Sequence, residues 1–334
     1  MKAAILAPVA WRTPPRHYGP WEQVASNIAE GLIKLGVDVT LFATGDSITA
    51  GKLEAICEQG YEEDRTQDAK VLECLHISNL MEKASEFDII HNNFDFLPLT
   101  YTGLIDTPVI TTIHGFSSQR IIPVYKKYNQ RGHYVSISDA DRSAELEYIA
   151  TVYNGLDTVD FKFTEAPQDY LLYFGRIHHD KGAAEAIEIA KKANKLLLIA
   201  GIIQDENYWR EKIEPHLSDQ IVYVGSAGPE KRNELLGNAL ALLHPINFAE
   251  PFGMSVAESM LCGTPVIAFN KGSMPELIQH EKTGFLVNTV DEAVGAINKI
   301  PSINRQYCHD WAASKFSKEK MADDYFKLYE RILG

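Results

Sequence analysis

The sequence predicts an α/β protein of two domains, each built on a parallel sheet that is covered by helices on both faces. The length of 334 residues favours two domains. Short apolar runs alternate with amphipathic segments, and this alternation starts again at Tyr170 after a polar, proline-containing stretch. We therefore expect Rossmann-like domains at residues 1–163 and 164–303, and C-terminal helices at residues 304–334 that pack back toward the N-terminal domain. The carboxyl ends of the two sheets should face a central cleft, where ligands bind in such folds.

The apolar runs of the first half have the length and composition of buried parallel strands. The predicted strands are Ala3–Leu6, Val37–Phe42, Asp88–His91, Val109–Ile113, Tyr134–Ile137 and Thr151–Tyr153. The segments between them predict helices at Glu22–Lys34, Ala69–Ser85, Ser117–Arg131 and Asp139–Tyr148.

The second half repeats the alternation, which predicts a second parallel sheet. Its strands are expected at Tyr170–Phe174, Leu196–Ala200, Ile221–Val224, Leu240–His244, Val266–Phe269 and Gly284–Val287. Its helices are expected at Ala183–Ala193, Glu206–Leu217, Glu230–Ala239 and Phe252–Leu261. The aromatic-rich segment Asn304–Leu333 predicts one or two more helices.

The composition argues against several classes of protein. A net charge of −13 disfavours nucleic-acid binding, which depends on basic surfaces. No run approaches the roughly 18 apolar residues of a membrane span. The apolar start of the chain is broken by Pro8, which predicts a first strand instead of a signal peptide. The four cysteines show no Cys-x-x-Cys spacing, which indicates free thiols and a cytoplasmic setting.

The segment Glu250–Glu258, between two predicted strands, has the strongest chemical pattern. Pro251 and Gly253 suit a tight loop that leads into a helix, whose first N–H groups attract an anion. Glu258 lies about two turns into that helix, where a carboxylate could accept hydrogen bonds from a ribose diol. On spacing alone, the segment is equally compatible with a capped helix packed in the core.

This segment and the following Cys262-Gly-Thr-Pro-Val266 resemble the Glu-x7-Glu motif of the retaining glycosyltransferases of family 4, which have the GT-B fold. The resemblance covers nearly the whole chain, in the family's order. It implies transfer of a hexose from a UDP- or GDP-sugar to a hydroxyl acceptor, in polysaccharide or glycoconjugate synthesis. The other matching segments are Ser136–Asp139, Tyr153–Asp157, Phe174–Gly182, Ser273–Ile278 and Thr283–Val287.

The resemblance assigns the donor diphosphate to Arg176 and Lys181, which follow the first strand of the second half. A planar guanidinium and a mobile ammonium both suit phosphate oxygens. Backbone amides at the start of the helix after Glu250 would add hydrogen bonds to the same group. The residues that supply these amides are Phe252, Gly253, Met254 and Ser255.

The remaining site residues also follow from the resemblance. Glu258 would bind the ribose, and Ala227, in the turn after a strand, would lie beside the base. Glu250 would orient the sugar hydroxyls, while His114 would contact the donor sugar and stabilise developing charge. We therefore expect Glu250 and His114 to be the catalytic residues. No carboxylate stands out as a covalent nucleophile, which favours a front-face reaction over a glycosyl-enzyme intermediate, and the sequence leaves both routes open.

The loop around Gly19 departs from the family's pattern. The family has two glycines, which contact phosphate or acceptor, where this chain has Gly19-Pro20. The resemblance therefore assigns Gly19 to the donor diphosphate and leaves a contact with the acceptor open. Pro20 lacks an N–H, which argues against a contact made by two amides, although a proline suits the first turn of a helix. Trp21 would either face the acceptor or pack in the core, and of these the core is favoured.

No metal ion or other cofactor is expected, since the family works without one. Asp139 and Asp141 sit at a predicted helix start, so their spacing predicts a cap instead of a metal site. The basic, aromatic run from Tyr125 to Arg131 could meet an acidic lipid head group or an anionic acceptor, but a solvated helix face is favoured. Any membrane contact should therefore be peripheral.

Other classes of protein share paired α/β domains. A non-hydrolysing nucleotide-sugar epimerase would convert a donor with no acceptor present, and a catalytically idle module would bind it unchanged. A dinucleotide-dependent oxidoreductase is disfavoured, because Ala7–Trp11 stands where Gly-x-Gly-x-x-Gly would follow the first strand. The turn near Ala227 does not distinguish uracil from guanine, and the acceptor stays open.

Overall fold

The computed structural model describes residues 1–116 and 118–334. The chain divides into two compact units. The first unit combines Met1–Leu156 with Ser317–Gly334, and the second is Asp157–Phe316. None of the helices in the described residues is long and apolar enough to cross a membrane.

The first unit has a seven-stranded sheet in the order β3-β2-β1-β4-β5-β6-β7, with all strands parallel. Its strands are β1 (Lys2–Leu6), β2 (Asp38–Phe42), β3 (Lys52–Glu54), β4 (Ile89–Asn92), β5 (Val109–Ile113), β6 (His133–Ser136) and β7 (Tyr148–Thr151). Its helices are α1 (Pro20–Lys34), α2 (Ala69–Glu82), α3 (Ile122–Tyr128) and, from the end of the chain, α11 (Lys318–Leu333).

The second unit has a six-stranded parallel sheet in the order β10-β9-β8-β11-β12-β13. Its strands are β8 (Tyr170–Phe174), β9 (Leu196–Ala200), β10 (Ile221–Gly225), β11 (Ala241–His244), β12 (Val266–Phe269) and β13 (Gly284–Val287). Its helices are α4 (Ala183–Lys192), α5 (Glu206–Tyr208), α6 (Pro229–Asn238), α7 (Met254–Leu261), α8 (Met274–Leu277), α9 (Val290–Ile297) and α10 (Arg305–Phe316). The two parallel sheets confirm the predicted α/β class.

Each sheet changes direction of winding at its centre. In the first sheet the chain moves outward from β1 to β2 and then returns to place β4 on the other side of β1. In the second sheet β8 and β11 are related in the same way. Loops that leave such a pair of strands diverge, so a crevice opens at their carboxyl ends, and ligands bind there in open α/β sheets.

Some predicted elements are wrong in type or extent. The predicted helix at 139–148 is instead a series of turns that leads into β7. Its polar side chains bind nearby groups, because Arg142 donates to the Ser136 hydroxyl and the Ser143 N–H donates to the Tyr148 hydroxyl. The predicted strand Thr151–Tyr153 correspondingly lies earlier, at β7.

Two predicted helices are shorter than expected. The segment at 206–217 breaks after α5 into a π-helical turn at Trp209–Ile213 and a 3₁₀ turn at Glu214–His216. A regular α-helix is disfavoured there because Pro215 has no N–H to donate. The helix predicted from Ser117 is α3, preceded by a 3₁₀ turn at Gln119–Ile121, and Ser117 itself lies outside the described residues.

Helix α11 packs against the first sheet through a buried hydrogen-bond network. The Tyr329 hydroxyl lies 2.7 Å from His91 Nδ1, and His91 Nε2 lies 2.7 Å from the Thr112 hydroxyl. Thr112 in turn lies 2.6 Å from the Tyr325 hydroxyl. Burial lowers the pKa of His91 to about 3, so its ring is neutral and each nitrogen is matched to a hydroxyl. This network accounts for the position of His91 without a role in ligand binding.

We expect Tyr329→Phe to lower the free energy of unfolding by about 1–3 kcal/mol, because it leaves His91 Nδ1 buried without a partner. Urea denaturation measures the change. Tyr101→Phe is the control, since the Tyr101 hydroxyl has no hydrogen-bond partner within residues 1–116 and 118–334. Equal denaturation midpoints for the two variants would contradict the assignment.

Candidate active site

The loop between β8 and α4, residues 175–182, holds Arg176 and Lys181 at the carboxyl edge of the second sheet. The Arg176 guanidinium donates to the side-chain oxygen of Gln204, and the Arg176 carbonyl accepts from the Tyr173 hydroxyl at 2.8 Å. Gly182 has φ 75°, and a Cβ there would lie 1.9 Å from the Pro245 carbonyl oxygen. Only glycine therefore allows this loop to approach the end of β11 so closely.

Lys181 forms an ion pair with Glu250, which lies in the loop between β11 and α7. Only 16% of the Lys181 side chain and 12% of the Glu250 side chain are exposed, so the pair is largely shielded from solvent. The Lys181 ammonium also lies 4.7 Å from the centre of the Phe248 ring, where it gains a cation–π interaction.

His244 lies close to this ion pair at the end of β11. Its Nε2 is 3.9 Å from Glu250, but burial, and then the charge of Lys181, lower its pKa to about 3. The ring is therefore neutral, and the contact with Glu250 is not a second ion pair. Its buried Nε2 has no hydrogen-bond partner among the described residues.

The Glu250 backbone is held by the turn before α8. The Ser273 N–H donates to the Glu250 carbonyl at 3.0 Å, and the Ser273 hydroxyl donates to the Phe252 carbonyl at 2.6 Å. Gly272 has φ 55°, and a Cβ there would lie 2.3 Å from the Glu250 nitrogen. The motif around Ser273 therefore positions the loop that carries Glu250.

Helix α7 begins at Met254, two residues later than predicted, because Gly253 adopts φ 92° as its N-cap. The N–H groups of Met254 and Ser255 have no backbone acceptor in the described part of the chain. Together with the helix dipole they form a site that favours an anion. Phe252 is buried in the loop, and its ring packs edge-on against Phe316.

Glu258 lies further along α7, where Arg232 from α6 is its partner at 3.3 Å. Burial raises the pKa of Glu258, and the Arg232 charge opposes that shift. The Arg232 guanidinium also stacks 4.6 Å from the centre of the Phe161 ring. Ala227 is half-buried in the loop between β10 and α6, the helix that carries Arg232.

The first unit holds the other two site residues. His114 follows β5, and its Nε2 lies 3.1 Å from the Asn93 side-chain oxygen. Burial lowers the pKa of His114 to about 3, so the ring is neutral. Because Nε2 donates to Asn93, the buried Nδ1 is the acceptor, and it has no partner among the described residues.

Gly19 is the N-cap of α1 and Pro20 is its first residue, as expected for a proline at a helix start. Gly19 has φ 152°, and a Cβ there would lie 2.9 Å from the Glu22 carboxylate. Trp21 is half-buried and stacks on His114 with 5.6 Å between ring centres, so the prediction that it lies in the core was wrong.

The site residues therefore form two groups, one in each unit. Within the second unit the structure brings Lys181 and Glu250 into contact. The sequence analysis missed several of their neighbours. Arg232, Gln204 and Asn93 are distant in sequence from the residues they bind, and no local pattern marks such pairs. His244 and Gly272 were missed as well, although a polar residue at a strand end could have indicated the first.

One group among the described residues could hold a metal ion. It consists of His178, His179 and Asp205, whose ligand atoms lie within 4.8 Å of one another. His179 is exposed, and Asp180 also lies near, with 3.0 Å between its carboxylate and His179 Nε2. Asp139 is instead engaged by the Thr151 hydroxyl and by Arg142.

Sequence models of two glycosyltransferase families match the two units of the chain. The sequence model of the family Glycosyl transferases group 1 matches residues 157–316, and that of Glycosyltransferase Family 4 matches residues 21–159. The chain belongs to glycosyltransferase family 4. The transferase is 21% identical to an uncharacterised glycosyltransferase of Methanocaldococcus jannaschii, over 97% of this chain and 94% of the relative. It is 26% identical to N-acetyl-alpha-D-glucosaminyl L-malate synthase of Bacillus anthracis, but over only 35% of this chain and 32% of that one.

Solved structures confirm the GT-B fold of the transferase. Anabaena HepE in complex with UDP has a TM-score of 0.76 and 18% identity, over 99% of this chain and 100% of that chain. Sucrose-phosphate synthase from Thermosynechococcus elongatus has a TM-score of 0.79 and 17% identity, over 99% of both chains. AviGT4, involved in avilamycin A biosynthesis, has a TM-score of 0.73 and 22% identity, over 100% of this chain and 98% of that chain.

We expect Gly272→Ala to destabilise the second unit by about 2 kcal/mol, because the added Cβ strains a left-handed residue and collides with the Glu250 backbone. Thermal unfolding measures the loss. Gly295→Ala is the matched control, since a Cβ there meets nothing within 4 Å on the exposed side of α9. An unchanged melting temperature for Gly272→Ala would show that Gly272 does not constrain this loop.

Proposed function

We propose that the transferase moves a hexose from a UDP-sugar, or a GDP-sugar, to a hydroxyl acceptor with retention at the anomeric carbon. One observation carries the proposal. Arg176, Lys181 and the start of α7 all lie on the loops after β8 and β11, where the second sheet changes its winding. Two cations and unpaired helix N–H groups suit the oxygens of a diphosphate.

The relatives support a nucleotide-sugar donor. HepE has been solved with UDP and with UDP-glucose, and the name of a similar Dictyostelium discoideum mannosyltransferase specifies GDP-Man. We propose UDP as the first candidate, because the structures that resemble the whole chain include these UDP complexes. Ala227 and Glu258 would contact the base and the ribose, and Arg232 would hold Glu258 in place for the ribose diol.

In the proposed reaction the acceptor oxygen bonds to the anomeric carbon while the bond from that carbon to the donor phosphate breaks. The acceptor proton passes to the departing phosphate oxygen. Arg176 and the α7 amides stabilise the charge on the leaving diphosphate. Lys181 holds the Glu250 carboxylate in an ion pair. A carboxylate held in this way suits a role in accepting hydrogen bonds from sugar hydroxyls better than a role as a nucleophile, which supports the front-face route.

His114 has the protonation state that its proposed role requires. In a neutral ring, Nδ1, which has no partner in residues 1–116 and 118–334, can accept a hydrogen bond from a sugar hydroxyl, whereas an imidazolium could not. The ring is oriented by Asn93 on one nitrogen and by Trp21 on one face. We further propose a cytoplasmic setting, since the four cysteine thiols are all free, as in reducing compartments.

We expect Arg176→Ala to weaken binding of the donor nucleotide by roughly 10–150-fold, which corresponds to the loss of a charge-assisted hydrogen bond. Thermal-shift titrations with UDP-glucose and GDP-mannose measure the affinity and identify the base, because stabilisation follows ligand excess over Kd. Lys195→Ala is the control, since Lys195 in the same unit pairs with exposed Asp169. Wild-type nucleotide affinity in Arg176→Ala would refute the phosphate assignment.

We propose that the reaction needs no divalent cation, because Arg176 and the N–H groups at the start of α7 would stabilise the charge of the diphosphate. Turnover of the donor should therefore be unchanged by excess EDTA. Loss of activity in EDTA and its return with Mg²⁺ would overturn this proposal. Conversion of the donor with no acceptor present would instead indicate an epimerase.

A further inference from the structure

The first unit contains a cavity of about 490 Å³ that none of the proposed donor contacts of the second unit uses. It lies where the loops after β1 and β4 diverge, at the point where the first sheet changes its winding. Its volume is within the roughly 300–1,000 Å³ that is usual for small-molecule sites. The walls come from three segments, namely the loop after β1 with the start of α1, the loop and helix that carry Tyr61 and Glu73, and the loop after β4.

Aromatic rings form much of the cavity wall. Trp11 and Tyr18 meet edge to face with 6.4 Å between their centres, and Phe94 and Phe96 come from the loop after β4. Trp21 lines the cavity and also stacks on His114, so the cavity and His114 share one ring as a boundary. Flat aromatic rings can pack against the apolar C–H faces of a pyranose.

Carboxyl groups supply the polar part of the lining. Glu22 is only 3% exposed, Glu73 accepts a hydrogen bond from the Tyr61 hydroxyl at 3.1 Å, and Asp95 accepts one from the Tyr125 hydroxyl. Burial raises the pKa of Glu22 to about 7 and that of Asp95 to about 6. These groups accept hydrogen bonds from hydroxyls when ionised.

The carboxyl groups have no cationic neighbour in the cavity wall, as far as the described residues form it. The described residues that line the cavity include no Lys, Arg or His. Arg16, in the loop that leads to α1, is paired with Asp46 at 2.8 Å and with Glu63 at 2.7 Å. An anionic group in the cavity would therefore be repelled by these carboxylates.

We propose that this cavity binds a pyranose ring of the acceptor, and that this ring carries no negative charge. Its hydroxyls donate to Glu22, Glu73 and Asp95, while its C–H faces pack on Trp11 and Trp21. The assignment of this ring to the acceptor rests on the proposed transferase function. The binding of the ring itself requires no donor and is testable alone.

Ligand-observed saturation-transfer NMR tests the proposal with the methyl α-glycosides of glucose, galactose and mannose, each compared with its uronic acid counterpart. The measurements are made at pH 8, where Glu22, with a pKa of about 7, is a carboxylate. We expect at least one neutral glycoside to bind, and its uronate to bind at least tenfold more weakly. Failure of all neutral glycosides to bind, or equal binding of the uronates, would overturn the proposal.

Two substitutions connect the binding to the cavity. Glu22→Gln and Glu73→Gln should each weaken binding of the neutral glycoside by roughly tenfold or more, since each removes a charged acceptor. Glu82→Gln is the matched control, because Glu82 is exposed on α2, the helix that carries Glu73. Unchanged affinity in both cavity variants, with melting temperatures like those of the control, would locate the sugar elsewhere.

Thermal shift with UDP-glucose and GDP-mannose on the same samples separates this inference from the proposed donor. A nucleotide-sugar shift without glycoside binding overturns the cavity assignment and leaves the donor site standing. Glycoside binding without a nucleotide-sugar shift supports the cavity as a sugar site and refutes the donor proposal.

Discussion

A lysine and a glutamate, Lys181 and Glu250, are held together where little solvent reaches either side chain. Removing one partner of such a pair would leave an uncompensated charge, at a cost of roughly 3–5 kcal/mol when the pair is fully buried. The pair ties the loop after β8 to the loop after β11. Gly182 allows the first loop its close approach, and Gly272 fixes the second. Burial, reinforced by the nearby ammonium, keeps His244 neutral beside them.

The charge balance of this region separates the roles of its two cations. Glu250 already compensates Lys181, whereas the partner of the Arg176 guanidinium among the described residues is the neutral side chain of Gln204. The excess positive charge is therefore concentrated on Arg176 and on the dipole at the start of α7. In the proposed function a diphosphate would bind where this positive charge is concentrated. Lys181 would orient Glu250 and bind any phosphate oxygen within its reach.

The sequence predicted the parallel sheets well, because buried strands such as β8 and β11 are continuous apolar runs. It also predicted the start of a helix near Glu250 and a proline at the first turn of α1. It failed for residues 139–148, where side chains bind the backbone and each other in place of a helix. The partners of site residues were also missed. Arg232 and Asn93 act across long sequence separations, and Trp21 carries no sign of its stacking on His114.

Helix α11 completes the core of the first unit, yet it follows the whole of the second unit in the chain. During translation, residues 157–316 therefore leave the ribosome before the tyrosines that cover His91 and Thr112. The second unit has all its strands at that stage, whereas one face of the first sheet still exposes apolar surface. Such a nascent intermediate is a target for chaperones. The core of the first unit therefore stays incomplete until α11 has been synthesised, after all the strands of the second unit.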